Sequence, residues 1–147
     1  RTPMQWTDDE NAGFTDGTPW LAMNPNYRQI NVREQEVRTD SVLAYYRRLV
    51  HLRKADAYRE TFTYGIFEPA YQEMADVFAY YRVSGESGQR ILVAANFGTD
   101  AVSLPLAYPC RQVLLSNLRA ESAVETACEK ANALTLGSCE VAVIELG

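Results

Sequence analysis

The sequence predicts a mainly β fold, an antiparallel β-sandwich preceded by an irregular arm and one long helix. Beyond about residue 58, short alternating segments are separated by turn residues, which is typical of antiparallel strands packed in two layers. Before that point there is one stretch with the 3.6-residue period of a helix. The arm before the helix is rich in Pro, Gly, Asn, Asp and Trp.

The composition restricts the class of protein. The 147 residues are 47% hydrophobic and 22% charged, as in one soluble globular unit with its own core. A formal net charge of −5 argues against nucleic acid or an anionic membrane as the main partner. The three cysteines form no C-x-x-C pair and there is one histidine, so we expect reduced thiols in a cytoplasmic protein, without metal, disulfide or cofactor.

The arm occupies residues 1–38 and contains turn sequences such as Asn11-Ala12-Gly13 and Asn24-Pro25. Its aromatic content argues against disorder, so we expect it to pack. Asn31 is a good cap for a short helix over residues 31–35. A longer helix is predicted over residues 40–55, capped by Asp40 or Ser41, with cations near its end. Its apolar stripe is expected to pack on the arm or on a second copy of the chain; it consists of Val42, Tyr46, Leu49 and Val50.

Seven strands are predicted, over residues 61–69, 76–84, 89–97, 101–104, 112–117, 133–136 and 139–145. The second and third form a hairpin around the glycine-containing loop 85–88. Residues 119–132 allow a helical turn or a loop, and we interpret them as a loop. Because helix gives way to strand near residues 55–60, we expect two domains, 1–56 and 57–147.

No residue is predicted to be catalytic. The adjacent side chains of Asp8, Asp9 and Glu10 point in diverging directions on a loop, whereas glycoside hydrolysis needs two carboxyl groups held rigidly across a pocket. His51 has no partner at the spacing of a triad or a metal site. The aromatic residues, 2 Trp, 9 Tyr and 5 Phe, allow a carbohydrate-binding module as an alternative. Packing is favoured because Phe78 and Tyr80 share one face of a strand.

Five segments of the arm together resemble a known family. They are Arg1-Thr2-Pro3-Met4-Gln5-Trp6, Asn11-Ala12-Gly13-Phe14, Pro19-Trp20, Asn24-Pro25-Asn26-Tyr27 and Ile30-Asn31-Val32. In this order they resemble the α-glucosidase branch of glycoside hydrolase family 13, which includes oligo-1,6-glucosidase, dextran glucosidase and the sucrose isomerases. The long helix is similar to the last helix of that family's (β/α)₈ barrel, and the strands to its terminal Greek-key β-sandwich.

The resemblance implies a carboxy-terminal fragment of a retaining α-glucosidase, whose aspartate nucleophile and glutamate acid/base would lie upstream of Arg1. Arg1 itself resembles an arginine at the pocket mouth that binds substrate, although it could instead brace loops through carboxylates. The expected role is non-catalytic stabilisation of the barrel. The remainder of the barrel and, in the full enzyme, an oligosaccharide are the expected partners. A sucrose isomerase or trehalose-6-phosphate hydrolase remains an alternative parent.

Overall fold

The computed structural model describes the backbone of all 147 residues and every side chain except those of residues 129–131. The chain forms two compact units, Arg1–Val50 and His51–Gly147. Our sequence-based boundary lies after residue 56, a few residues later. No helix in the described part of the chain is both long enough and apolar enough to cross a membrane.

The first unit contains the arm, helix α1 (Val32–Glu36) and most of helix α2 (Val42–Lys54). The side chain of Asn31 accepts a hydrogen bond from the amide of Glu34 at 2.9 Å, which satisfies a free N–H at the start of α1. The Ser41 hydroxyl does the same for the amide of Ala44 at 3.1 Å, before α2. Both predicted helices are therefore present, with the predicted caps at Asn31 and Ser41.

The predicted apolar stripe of α2 is largely open to solvent in this chain. Val42 is 79% exposed and Tyr46 is 62% exposed, although both belong to the apolar side of the helix. A helix that keeps such residues uncovered has an unpartnered apolar side.

The second unit begins with the end of α2 and helix α3 (Asp56–Tyr64), and its strands follow. Their bounds are β1 (Ile66–Ala70), β2 (Val77–Val83), β3 (Arg90–Asn96), β4 (Val102–Pro105), β5 (Cys110–Ser116), β6 (Ala133–Leu136) and β7 (Val141–Leu146). A five-stranded antiparallel sheet has the order β1-β2-β3-β7-β5, and β4 pairs with β6 in a two-stranded antiparallel ribbon. The predicted antiparallel β architecture is confirmed.

The sheet and the ribbon share one hydrophobic core. Leu92 and Ala94 of β3 pair with Ile144 and Ala142 of β7, and none of the four is exposed. From the other side the core receives side chains of the ribbon and of helix α4 (Glu121–Ala131), which are Leu104, Leu134, Leu136, Val124 and Cys128. The opposite face of the five-stranded sheet, here called the outer face, carries Phe78, Tyr80 and Arg82 of β2, since side chains alternate along a strand.

Helix α4 (Glu121–Ala131) corrects the prediction of a loop over residues 119–132. Alanine and glutamate are good helix formers, and Val124 and Cys128 are four residues apart, so they lie on the same side of a helix. Both are buried in the shared core. The helix ends at Asn132, which has the left-handed φ of 47°.

The first predicted strand was also wrong in its amino-terminal half, because residues 61–64 belong to α3. The β-branched and aromatic residues of this segment favour a strand locally. In the structure Thr61 and Phe62 are instead buried on one side of the helix, at 1% and 8% exposure. Gly65 ends the helix. A Cβ atom there would collide with the carbonyl oxygens of Thr61 and Val83.

A buried carboxylate links the residues just before helix α4 to the start of β7. Glu140 is 2% exposed, and its side chain accepts hydrogen bonds from Arg119 Nε at 2.6 Å and from the amide of Gly137 at 2.7 Å. Charge-assisted hydrogen bonds of this kind are stronger than neutral ones. Removing the charge while keeping the shape leaves the guanidinium without its acidic partner.

We therefore expect Glu140→Gln to lower the free energy of unfolding by about 1–3 kcal/mol, measured by urea denaturation. Glu86→Gln is the matched control, because Glu86 is exposed on the loop between β2 and β3. The control is expected to change stability by less than about 0.5 kcal/mol. Equal midpoints for the two variants would contradict a stabilising role for the Glu140 carboxylate.

Candidate functional site

Arg1, the one residue with a predicted contact to substrate, is exposed at the start of the arm. The residues that follow it are held firmly. The amide of Val32 donates to the carbonyl of Gln5 at 3.0 Å, and the amide of Arg33 donates to the carbonyl of Trp6 at 3.0 Å. Helix α1 thus fixes the backbone a few residues after Arg1.

The Gln5 side chain adds a second set of contacts within the arm. Its Nε2 donates to Asn26 Oδ1 at 3.0 Å and also to the carbonyl of Ile30. Asn31 Nδ2 donates to the carbonyl of Tyr27 at 2.8 Å. Three of the segments that carry the family resemblance are therefore in direct contact with one another.

A cleft of about 340 Å³ lies beside these contacts, between Thr2–Gln5 and residues 30–35. Thr2 lines the cleft and follows Arg1 directly in the chain. The Arg1 guanidinium carries five N–H donors, which can bind sugar hydroxyls or carboxylates.

A tight turn follows the acidic run Asp8-Asp9-Glu10 in the chain. The amides of Trp6 and Thr7 both donate to the carbonyl of Ala12, at 2.9 and 3.0 Å. Asn11, Ala12 and Gly13 all have positive φ, at 53°, 56° and 63°. At Gly13 a Cβ atom would lie 2.5 Å from Thr7 Oγ1, so both conformation and space favour glycine at this position.

Two residues of the acidic run form ion pairs with one arginine. Arg33 Nη1 and Nη2 lie 2.8 Å from Asp8 Oδ1 and Asp9 Oδ2, respectively. The hydroxyl of Thr7 and the Arg33 guanidinium together lower the pKa of Asp9, and Asp9 in turn raises the pKa of Arg33. Both carboxylates are partners of the same cation. The arrangement is that of an ion-paired surface loop.

The remaining candidate residues are dispersed. His51 is exposed on α2. None of the three cysteines forms a disulfide. Among the residues whose side chains the structure describes, no group of three or more His, Cys, Asp and Glu is placed to hold a metal ion.

Sequence reasoning missed a polar cluster in the second unit. Gln89 Nε2 donates to Glu145 Oε1 at 3.0 Å, and Tyr58 Oη lies 3.4 Å from Glu145 Oε2. Burial, followed by the charge of Glu145, raises the pKa of Tyr58. A cleft of about 410 Å³ opens beside this cluster. The three residues are far apart in the chain, and no local pattern indicates that they meet.

Comparisons with known proteins agree with the resemblance of the arm. The family described as alpha amylase, catalytic domain, matches residues 1–65. Oligo-1,6-glucosidase of Parageobacillus thermoglucosidasius is 38% identical over 129 residues, which cover 85% of this chain and 22% of that protein. Glucan 1,6-alpha-glucosidase of Streptococcus pneumoniae is also 38% identical, over 125 residues, with the same two coverages.

Among solved structures, isomaltulose synthase of Klebsiella sp. LX3 superposes with a TM-score of 0.86 and 33% identity. The match covers 99% of this chain and 25% of that one. Over residues 1–65, this chain matches the α-amylase family. It spans about a fifth of the length of the curated relatives it matches.

The turn at Gly13 lies in the part of the chain that matches the α-amylase catalytic domain. We expect Gly13→Ala to speed hydrogen exchange of the Trp6 and Thr7 amides by about tenfold, because a left-handed conformation costs alanine about 1–2 kcal/mol. The control is Gly17→Ala, where the added Cβ would lie 3.7 Å from Thr15 Oγ1 and φ is not positive. Unchanged exchange in the Gly13 variant would contradict the proposed preference for glycine.

Proposed function

We propose that this chain is the non-catalytic carboxy-terminal part of an α-glucosidase of the oligo-1,6-glucosidase type, which hydrolyses α-glucosidic bonds of short oligosaccharides. The main support is where the catalytic-domain match ends. It covers residues 1–65, and β1 begins at Ile66. The strands that follow form a separate sheet with its own core, as expected for a domain that stabilises a catalytic barrel. We also propose a cytoplasmic location, which the odd number and irregular spacing of the three cysteines support.

The proposed lack of catalysis in this chain has a geometric basis. A glycosidase needs two carboxyl groups about 5–9 Å apart across a substrate pocket, one of them able to donate a proton. The adjacent pair Asp8 and Asp9 is bound to one guanidinium and is half exposed. A (β/α)₈ barrel also requires roughly 200 residues or more, so this chain is too short to contain a complete one.

We expect the purified 147-residue chain to release no p-nitrophenol from p-nitrophenyl α-glucoside above the rate in buffer. The full-length protein is expected to hydrolyse both this substrate and isomaltose. Turnover by the chain alone, retained through a second chromatographic step, would overturn the non-catalytic role.

Arg1 is proposed to bind the sugar on the leaving-group side of the pocket. Support comes from its exposure and from the rigid contacts that hold the following residues. In the full-length protein, Arg1→Ala is expected to raise KM for isomaltose about tenfold or more, because a hydrogen bond from a charged group contributes about 1.5–3 kcal/mol. The control is Arg111→Ala, an exposed arginine of β5 in the second unit. A variant with unchanged KM and a lower melting temperature would favour the loop-bracing alternative.

Sucrose isomerisation is the second candidate activity, because the superposed isomaltulose synthase is a protein of that kind. The products formed from sucrose separate the two. A hydrolase releases equal amounts of glucose and fructose, whereas an isomerase yields a new glucose–fructose disaccharide. Chromatography of a sucrose digest by the full-length protein therefore decides between them.

A further inference from the structure

The polar cleft beside Gln89 and Glu145 lies wholly within the second unit and has a volume of about 410 Å³. Helix α3 contributes Ala57 to its lining, and the loop between β2 and β3 contributes Gly88. Clefts that bind small molecules have volumes of about 300–1,000 Å³. This cleft, here called the Gln89–Glu145 cleft, is therefore large enough for a small ligand.

The polar groups of the cleft are held in fixed orientations. The side-chain oxygen of Gln89 accepts from the hydroxyl of Thr61, and its Nε2 donates to Glu145 Oε1 at 3.0 Å. The Tyr58 hydroxyl lies 3.4 Å from the other carboxylate oxygen of Glu145. The backbone amide of Gln89 donates to Ser87 Oγ at 3.2 Å. Because these groups are already ordered, a ligand that binds them meets a lower entropy cost.

The two central side chains keep hydrogen-bonding capacity beyond these contacts. A carboxylate can accept about four hydrogen bonds, and the Glu145 oxygens receive Tyr58 and Gln89. The Gln89 Nε2 group carries two N–H donors, one of which is directed to Glu145. Both residues are half-buried and line the cleft. The pair thus presents acceptors next to a donor.

The charges of the lining favour a neutral ligand. Glu145 carries a negative charge and the exposed Arg111 of β5 a positive one, so the formal charges of the lining side chains cancel. A calcium ion takes about six to eight oxygen ligands. The side chains that the structure describes include no cluster of three or more His, Cys, Asp and Glu suited to a metal ion.

Neighbouring hydroxyl groups of a sugar match the pattern of the Gln89–Glu145 cleft, because each hydroxyl both donates and accepts. One hydroxyl can donate to the carboxylate of Glu145 while the next accepts from Nε2 of Gln89. Ala57 and Leu146 add apolar surface to the lining, on which the C–H groups of a pyranose ring can pack.

We propose that the Gln89–Glu145 cleft binds a short gluco-oligosaccharide. The preference for a neutral ligand with several hydroxyl groups rests on the geometry and charge of the cleft. The choice of glucose as the sugar rests on the proposed function, in which the parent protein acts on short oligosaccharides. Glu145 accepts from one sugar hydroxyl in this complex, and Gln89 donates to its neighbour.

The test is a titration of the ¹⁵N-labelled 147-residue chain with isomaltotriose, followed by NMR. We expect saturable shifts of the Gln89 side-chain amide signal and of the Gly88 backbone amide signal. Glu145→Gln is expected to weaken binding about tenfold or more, because it replaces a hydrogen bond to a charged group by one to a neutral group. The matched control is Glu73→Gln, an exposed residue of the turn between β1 and β2, at the opposite end of β2. Its affinity for isomaltotriose is expected to equal that of the unaltered chain.

Three outcomes would overturn the proposal. The first is the absence of saturable shifts at Gln89 and Gly88. The second is an equal response to sorbitol, which would show that the cleft does not recognise a sugar ring. The third is tighter binding of glycine than of isomaltotriose, which would assign the cleft to a zwitterion. Equal weakening by Glu145→Gln and Glu73→Gln would also contradict the assigned contact.

The folding of each variant is judged by circular dichroism. If Glu145→Gln does not fold, Gln89→Ala takes its place, with the Gly88 amide signal as the readout. If the 147-residue chain does not fold by itself, hydrogen exchange of residues 84–89 in the full-length protein gives the answer. The ligand is then a sulfur-linked analogue of isomaltotriose, which resists hydrolysis. Unchanged exchange at saturating ligand would overturn the proposal.

Binding at the cleft and enzymatic activity are measured separately. Absence of binding in a chain whose full-length protein hydrolyses isomaltose would remove the proposed site and leave the proposed function intact. Saturable binding in a protein that fails to hydrolyse isomaltose would support the site and remove the proposed activity.

Discussion

The pairing of β3 with β7 is the interaction on which the second unit depends. These two strands lie at the centre of the five-stranded sheet, and their inward side chains, Leu92 and Ile144 among them, are fully buried against the ribbon and α4. Burying one such aliphatic side chain contributes about 1.5–3 kcal/mol. The ion pair of Arg119 with Glu140, at 2.6 Å, holds the residue that directly precedes β7.

Alternation of apolar and polar residues was sufficient to predict most strands, because each pairs with a neighbour and buries one side. The hairpin of β2 and β3 agrees with its prediction within one residue at each end. The sequence-based prediction missed the helices α3 and α4 for opposite reasons. The residues of α3 favour strand locally, and packing against the sheet overrides that preference. Those of α4 are compatible with a helix, yet its apolar side is narrow, essentially Val124 and Cys128.

Less of the candidate site than of the fold could be predicted from the sequence. Arg1 was proposed from family resemblance alone, since an isolated arginine has no pattern that identifies a ligand. The contacts that give its surroundings their rigidity join residues far apart in the chain, such as Gln5 to Asn26. The same holds for Gln89 and Glu145, which meet only because β3 and β7 are neighbours in the sheet. Polar contacts between residues far apart in the chain can be identified only once the fold is known.

Gly65 stands where the catalytic-domain match ends and the sheet begins, in a space with no room for a side chain. Helix α3, on one side of that position, is hydrogen-bonded through its carbonyls to Arg82 on the other. The end of the family match at residue 65 is therefore not a boundary between structurally independent parts of the chain. For chimaeras assembled from this chain and its relatives, the joint at residue 65 is a poor crossover point, and a transplanted sheet should be moved together with its own α3.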